Sequence, residues 1–359
     1  MTYSAETQVL HLNAQHPEPD LIKQAATRIR EGGLVAFPTE TVYGLGANGF
    51  DALAVDHIFT AKARPASDPI ILHLSSRHQL ELVAKDIPPL ALQLAQAFWP
   101  GPLTLVLKRQ PQVPANVTAG LDTVAVRVPS HPIALALLKA AGVPIAAPSA
   151  NRFSRPSPTT AQHVLEDLQG CVDLVLDGGP TTIGVESTVL DLTQSVPTIL
   201  RPGGALVEPL RVMIPNLQVK QHLVAEEESK HGLASPGMLL KHYSPNADLL
   251  LFSGPDDTKV IAHMQEKAHQ LVLEGKSVGI LTSEEDRPHF ARLPIQLAEL
   301  GPRTDLDMIA RNLFAGIRTL DFLGVDVILV KSFVQEGLGL AIWDRLLRAA
   351  EGKVITIAD

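Results

Sequence analysis

The chain has one cysteine, Cys171, in 359 residues. No disulfide can close within it and no cysteine-based zinc site can be built. Such sparing use of thiols fits a reducing cytosol, so the expected location is cytoplasmic. Aromatic residues make up only 4%, too few for a base-stacking platform. Positive charge is also short, with 30 Lys+Arg against 38 Asp+Glu and a formal net charge of -8, which argues against broad electrostatic binding of nucleic acid. Long apolar runs are missing too. The stretch from Ile133 to Pro148 is broken by Lys139 and by prolines, so no membrane span is expected. The first ten residues are polar and lack a signal-peptide pattern. The 13 histidines are scattered without H-E-x-x-H spacing. No G-x-S-x-G elbow occurs and Cys171 lacks an evident base, so covalent catalysis has no support in the sequence.

What is present is a large apolar share, 45% hydrophobic against 19% charged, which specifies a soluble globular protein of about two domains. Leu21, Ile22, Ala25, Ala26 and Ile29 recur at helical spacing and stop at Gly32-Gly33. Asp51 reads as the cap of a helix running to Ala63. Strands are expected at Leu34 to Phe37, Pro69 to Leu74, Leu103 to Leu107, Val124 to Val128, Val143 to Ala147, Val172 to Leu176, Thr188 to Leu192 and Thr198 to Leu200. Helices fall between them without a strict βαβ rhythm. Residues 1–204 therefore predict an α/β domain of α+β character on a mixed sheet. Residues 247–359 keep the rhythm, with strands near Leu249, Val278, Val327 and Val354, and predict a smaller parallel, Rossmann-like α/β domain. The connection 205–246 carries Glu226-Glu227-Glu228, Ser235-Pro236-Gly237-Met238 and His242-Tyr243-Ser244-Pro245; a connection this long reads as an active-site lid.

Residues with chemistry in them gather at strand ends and turns. The segment Pro38-Thr39-Glu40-Thr41-Val42-Tyr43-Gly44-Leu45-Gly46 reads as a glycine-rich turn ahead of the helix that closes in Lys62-Ala63-Arg64-Pro65. Exposed N–H groups and a helix dipole favour anions. Two nearby cations then point to a multiply charged ligand such as a nucleoside triphosphate. The same cations also suit a helix C-terminus with no ligand. Gly44 to Gly49 match G-x-G-x-x-G, but polar residues and Pro38 separate them from the strand, and Asp68 lies where no ribose-binding acid belongs. Gly275-Lys276-Ser277 fails as a P-loop, because the first glycine is replaced by Gln270 and the helix precedes it. His73 closes an apolar strand. Arg127, in an otherwise apolar strand, must find an anion, either a protein carboxylate or a substrate carboxylate held in bidentate fashion. The loop from Pro148 to Pro158 offers hydroxyls to a helix cap or to a phosphate. Glu186-Ser187-Thr188 and Arg201-Pro202-Gly203-Gly204 add a hydroxyl and another cation at strand ends.

Taken in order, the 38–46 segment, Lys-x-Arg-Pro at 62–65, Pro-x-x-x-His at 69–73, Val-Arg-Val-Pro at 126–129, Ser-Ala-Asn at 149–151, Glu-Ser-Thr at 186–188, Leu-Arg-Pro-Gly at 200–203, Ser-Pro-Gly-Met at 235–238 and His-Tyr-Ser-Pro at 242–245 form a specific set. It resembles the L-threonylcarbamoyladenylate synthase family in its long, two-domain YrdC-like form, from about residue 20 to the end. The resemblance implies a twisted mixed sheet with helices plus the smaller parallel domain. It implies nucleotidyl transfer from ATP to L-threonine and bicarbonate, with pyrophosphate released, feeding threonylcarbamoyl modification of tRNA adenosine. Mg2+ is implied as the companion of ATP, and tRNA threonylcarbamoyl-transfer proteins as downstream partners; no membrane and no stable nucleic-acid partner is implied. Thr41, His73, Arg127 and Ser187 are implied to line a threonine site. Lys62, Arg64, Thr123, Ser149, Ser157 and Arg201 are implied to surround ATP, with Ala147 touching it through backbone and Lys62 and Arg64 acting in catalysis. Tyr243 is implied to fold over the nucleotide. Asp68 stands at an ATP-contacting place where the family usually has asparagine; it is an acceptor only, or a metal contact. No side chain is otherwise assigned to a metal, and Glu40 is a base to be tested. One rival is a double-stranded RNA-binding module built on Lys62, Arg64, Arg127, Arg152, Arg155 and Arg201. Another is carbamoyl transfer as in hydrogenase maturation proteins, whose zinc-finger and acylphosphatase-like parts have no counterpart here.

Overall fold

The computed structural model describes residues 6–220 and 242–358. Two compact units make up the chain: Met1–Phe153 with Ser157–Met238, and Ser154–Pro156 with Leu239–Asp359. No helix among the described residues is long and apolar enough to cross a membrane.

The first unit carries twelve described strands in one sheet: β1 (Gln8–His11), β2 (Val35–Phe37), β3 (Gly44–Asn48), β4 (Leu72–His73), β5 (Ala84–Lys85), β6 (Leu103–Arg109), β7 (Thr123–Arg127), β8 (Ile145–Ala146), β9 (Leu174–Asp177), β10 (Thr188–Asp191), β11 (Thr198–Arg201) and β12 (Gln218–Val219). The spatial order is β1-β9-β2-β3-β8-β4-β7-β6-β10-β11-β12, with β5 on β6. Pairing is mixed, as expected: β2 with β3 and β6 with β7 are antiparallel, whereas β4 with β7 and β6 with β10 are parallel. The helices Pro19–Arg30 and Pro132–Ala141 bury one apolar stripe each, Ile22, Ala25, Ala26 and Ile29 against Ile133, Leu137 and Leu138, over Val35, Phe37 and Ile145. A second apolar cluster, Ile71, Val106, Ala125, Val189 and Leu200, lies on the other strands. These two patches give the sheet a covered region and an apolar floor.

Three differences from the sequence reading stand out. The glycine segment is not a turn: Gly44–Asn48 form β3, an antiparallel partner of β2. β1 was not expected, because a four-residue, largely exposed strand carries little periodic signal. The sheet also continues beyond Gly204, with a helix at Val207–Met213 and β12 on β11. Much of the expected lid, including residues 226–228 and 235–238, lies outside the described residues.

The second unit is a five-stranded sheet of β13 (Asp248–Ser253), β14 (Val278–Thr282), β15 (Gln296–Glu299), β16 (Val327–Lys331) and β17 (Val354–Thr356), ordered β15-β14-β16-β13-β17 and parallel throughout. Helices Asp257–Leu273, Leu306–Phe322 and Gly339–Ala349 cross between strands, the first two capped by Asp256 and Asp305. β15 escaped the sequence reading because it is a half-exposed edge strand with the sequence Gln-Leu-Ala-Glu. The C-terminal strand ends, where doubly wound folds hold ligands, are occupied here by ion pairs: buried Lys331 meets Asp257 at 2.7 Å and Asp286 at 3.0 Å, and Arg303 pairs with the same two acids.

Tyr243, expected over the nucleotide, has a defined setting in this unit. It is wholly buried within this unit, 5.3 Å from the Phe314 ring, with the Arg345 guanidinium 5.3 Å from its centroid. Burial of a large ring beside an aromatic and a cation makes it an anchor for the chain at that point. The neighbouring Ser244 amide donates to the Ser154 carbonyl at 2.7 Å, and Arg318 to the Pro156 carbonyl at 2.6 Å. These bonds draw Ser154–Pro156 into the second unit.

Candidate active site

Phe37 and Gly44 are direct ladder partners, so residues 38–43 must form a compact loop between β2 and β3. Thr39 closes it: its Oγ1 donates to the Val42 carbonyl at 2.7 Å and accepts the amides of Thr41 and Val42. The amides of Tyr43 and Leu45 donate to the carbonyls of Pro158 and Pro148. These N–H groups are consumed by the protein, so the expected anion-binding turn is absent. Gly46 is needed for packing instead, since a Cβ there would lie 2.8 Å from both Ile145 Cγ2 and Phe37 Cε1. What the loop supplies to the site is the side chains of Glu40 and Thr41.

Arg127 ends β7 and pairs in register with His73 on β4. Its Nη1 donates to Thr41 Oγ1 at 3.0 Å and its Nη2 to Glu40 Oε2 at 3.4 Å. The protein carboxylate of the earlier reading is thus Glu40, at a long distance, and Arg127 Nε remains buried without a partner. Burial lowers the Arg127 pKa, Glu40 pulls it up, and Arg201 lowers it further. Burial, helped by Arg127, drives His73 down to about 3, so its imidazole is neutral near pH 7. Its Nδ1 has no hydrogen-bond partner.

That shift has a stability consequence. An unfolded histidine takes its proton near pH 6.5, the folded His73 only near pH 3. The unfolded state therefore binds more protons in this window, and stability is expected to fall as pH drops from 6.5 toward 3. The slope from this residue is about 1.4 kcal/mol per pH unit. His73→Gln is expected to flatten it, as read from urea midpoints at neutral and mildly acidic pH.

Lys62 is the last residue of the helix Ala52–Lys62, which Asp51 caps by accepting the amides of Leu53 and Ala54. Its buried Nζ donates to the Ser149 carbonyl at 2.6 Å and to the Asn151 carbonyl. It is therefore directed at the 149–151 loop, whatever its helix-terminal position contributes. Arg64 donates from Nη2 to the Pro69 carbonyl at 2.8 Å and lies 2.9 Å from Asp68 Oδ2. Asp68 is fully buried. Burial pushes its pKa up, against the pull of Arg64, Lys62 and Arg201. Three cations therefore converge on one carboxylate. Arg201 also donates to the Ser187 carbonyl at 2.9 Å and to Ser187 Oγ at 3.3 Å, and Ser187 Oγ lies 2.8 Å from Thr104 Oγ1.

The remaining expected residues fall around this frame. Ser149 Oγ donates to Asn151 Oδ1 at 2.5 Å, and Ser157 Oγ to Glu186. The Ala147 amide donates to the Ile71 carbonyl at 3.0 Å, so a backbone contact there falls to its carbonyl. Thr123 opens β7 four residues before Arg127, on the same face, with Ala125 of the apolar floor between them. At about 3.3 Å per residue, the two lie roughly 13 Å apart. Thr41, His73 and Arg127 form one group, and Lys62, Arg64, Asp68 and Ser149 a second. Arg201 acts electrostatically on both and contacts Ser187. The RNA-binding rival loses its footing, because Lys62, Arg64, Arg127 and Arg201 are buried and cannot form a basic surface. Sequence reasoning missed Thr104 and gave Asn151 and Glu186 no role, although both lie in the 149–151 and 186–188 motifs. A hydroxyl in an otherwise apolar strand was the signal for Thr104.

Residues 27–203 match the Sua5/YciO/YrdC family model, described as telomere recombination, and residues 207–351 match the threonylcarbamoyl-AMP synthase C-terminal domain. A threonylcarbamoyl-AMP synthase of Pyrococcus abyssi is 47% identical over 339 residues, 94% of this chain and 96% of that protein. This chain belongs to the threonylcarbamoyl-AMP synthase family. The Bacillus subtilis family member is 44% identical over 93% of this chain and 94% of its own length. The solved structure of P. abyssi Sua5 complexed with L-threonine aligns with 98% of this chain and 100% of that one, at a TM-score of 0.90 and 45% identity. Membership in the threonylcarbamoyl-AMP synthase family therefore extends over both units.

Proposed function

We propose that this family member condenses L-threonine, bicarbonate and ATP into L-threonylcarbamoyladenylate with release of pyrophosphate, as a nucleotidyl transfer that feeds tRNA modification. The observation that carries the reading is the pairing of two chemically different groups in one unit: buried Arg127 with Thr41 and His73, and the cations Lys62, Arg64 and Arg201 around Asp68. The first suits an amino-acid carboxylate, the second a polyphosphate. The apolar floor between Arg127 and Thr123 suits the base or ribose face of a nucleotide.

In this mechanism Arg127 holds the threonine carboxylate, with Thr41, Ser187 and neutral His73 around it. Threonine nitrogen captures bicarbonate or CO2 as a carbamate. The carbamate oxygen attacks the ATP α-phosphorus in line and pyrophosphate leaves. Lys62, Arg64 and Arg201 offset the charge that develops on the phosphates, a preorganised electrostatic role that needs no protein nucleophile. Ser149, Ser157, Thr123 and the Ala147 backbone complete the nucleotide side. Magnesium enters with ATP in this reading. Among the described residues no group of three or more His, Cys, Asp or Glu is placed to hold an ion. Asp68 Oδ2 is taken by Arg64 at 2.9 Å, which leaves buried Oδ1 as the acceptor that an ion brought in by phosphates would meet. When bound, such an ion neutralises phosphate charge. The product then passes to tRNA threonylcarbamoyl-transfer proteins, in the cytoplasm.

The test is pyrophosphate release from ATP with threonine or bicarbonate left out in turn. Each omission is expected to abolish release. Release indifferent to both would overturn the proposed reaction.

A further inference from the structure

Glu40 is the one charged side chain touching Arg127 to which the reaction above gives no task. Its backbone is pinned, its carbonyl accepting the Ile183 amide at 2.8 Å and the Thr182 hydroxyl at 3.3 Å. Its Oε2 takes Arg127 Nη2 at 3.4 Å and the Ser130 amide at 3.1 Å. Its Oε1 is buried without a hydrogen-bond partner, as is Arg127 Nε. A buried acceptor and a buried donor left unmade on two side chains already in contact are costly and call for an occupant. An α-amino acid zwitterion supplies the complement of both: a carboxylate for the arginine and an ammonium for the glutamate.

We infer that Glu40 receives the α-ammonium of the amino-acid substrate and takes its proton as the carbamate forms. The inference rests on the reading that Arg127 holds the threonine carboxylate. In the step, the electron pair of one ammonium N–H bond makes the new bond from nitrogen to the bicarbonate carbon. That proton goes to the Glu40 carboxylate. A second leaves with the bicarbonate hydroxyl as water when its C–O bond breaks, and the third stays on the carbamate nitrogen. Other groups around Glu40 do not duplicate it. Arg127 and Arg201 are cations, His131 is held below its usual pKa by burial although Glu40 pulls it up, and His73 is neutral. None of them is a carboxylate.

Glu40→Gln keeps the shape and removes the base. Threonine-dependent pyrophosphate release is expected to fall on the order of 10²-fold at neutral pH. It should then recover about tenfold per pH unit on the alkaline side as free amine accumulates, while the natural chain stays flat. A deficit of the same size at every pH would mean that Glu40 only steadies Arg127, and would overturn the inference. A second measurement needs no variant: calorimetric binding of threonine against its 2-hydroxy analogue, which lacks the ammonium. The analogue is expected to bind roughly 10- to 100-fold more weakly, and equal affinity would overturn the role of Glu40. If threonine itself did not bind, the amino-acid reading of Arg127 would fail instead.

Discussion

Arg127→Lys is expected to raise the threonine concentration needed for half-maximal turnover on the order of 10²-fold, with a smaller change for ATP. Lysine keeps the charge but loses the planar fork. A guanidinium can hold Thr41 Oγ1 and Glu40 Oε2 while presenting a further N–H to a ligand; an ammonium on a flexible stem cannot keep all three directions. Losing a charge-assisted contact in a buried site removes roughly 1.5–3 kcal/mol, which is the origin of the expected factor. Arg127→Ala is the less informative variant. It leaves Glu40 buried without its countercharge, which costs about 3–5 kcal/mol of stability and confuses folding with binding. Steady-state kinetics with each substrate varied, plus a urea titration, separate the two. An unchanged threonine KM in a folded Arg127→Lys protein would place the amino-acid carboxylate elsewhere.

Lys62→Met is expected to lower turnover on the order of 10²-fold, as for loss of a preorganised donor, and also to destabilise the fold. Methionine keeps most of the buried stem and removes the ammonium. The carbonyls of Ser149 and Asn151 then lose a shared donor, at about 1–3 kcal/mol for each group left unsatisfied. The loop they belong to also carries Ser149 Oγ and leads toward Ser157, so loosening it should raise the ATP KM as well as lower kcat. Arg64→Gln is the control. Arg64 grips the Asp68 and Pro69 carbonyls from its own side of the cluster, so it tests the phosphate charge without disturbing the 149–151 loop. A Lys62→Met protein with near-normal turnover and lowered stability would make Lys62 a loop anchor only.

Much of the candidate site was legible because the residues themselves restrict what they can do. An arginine in the apolar strand 124–128 had to have an anion, and Glu40 is there. Two cations at the end of a capped helix had to face something polar, and they face carbonyls and Asp68. What misled was reading residues 38–46 as an exposed glycine-rich turn. The glycine spacing suits a phosphate turn, yet β2 pairs with the segment and uses its backbone groups in a ladder. Local pattern cannot tell a glycine kept for φ freedom from one kept because Phe37 and Ile145 leave no room for a Cβ. Nor does local sequence show what packs on Tyr243; only the fold places Phe314 and Arg345 beside it.

The sequence by itself determined what depends on near neighbours: the capped helices, the parallel βαβ rhythm after residue 247, the mixed pattern before it, and the ordered set of polar residues that marks the family. Only the tertiary structure decided which of those residues meet. Lys62 reaches carbonyls 87 and 89 positions away, Arg127 reaches Thr41 across 86, and Ser187 meets Thr104 across 83. The physical reason is that charge and hydroxyl chemistry set what a side chain needs, whereas strand order sets what it finds. The pairing of β4 with β7, and of β10 with β6, places the Arg127–His73 pair and the Ser187–Thr104 contact in one sheet. No local periodicity in the chain encodes that order.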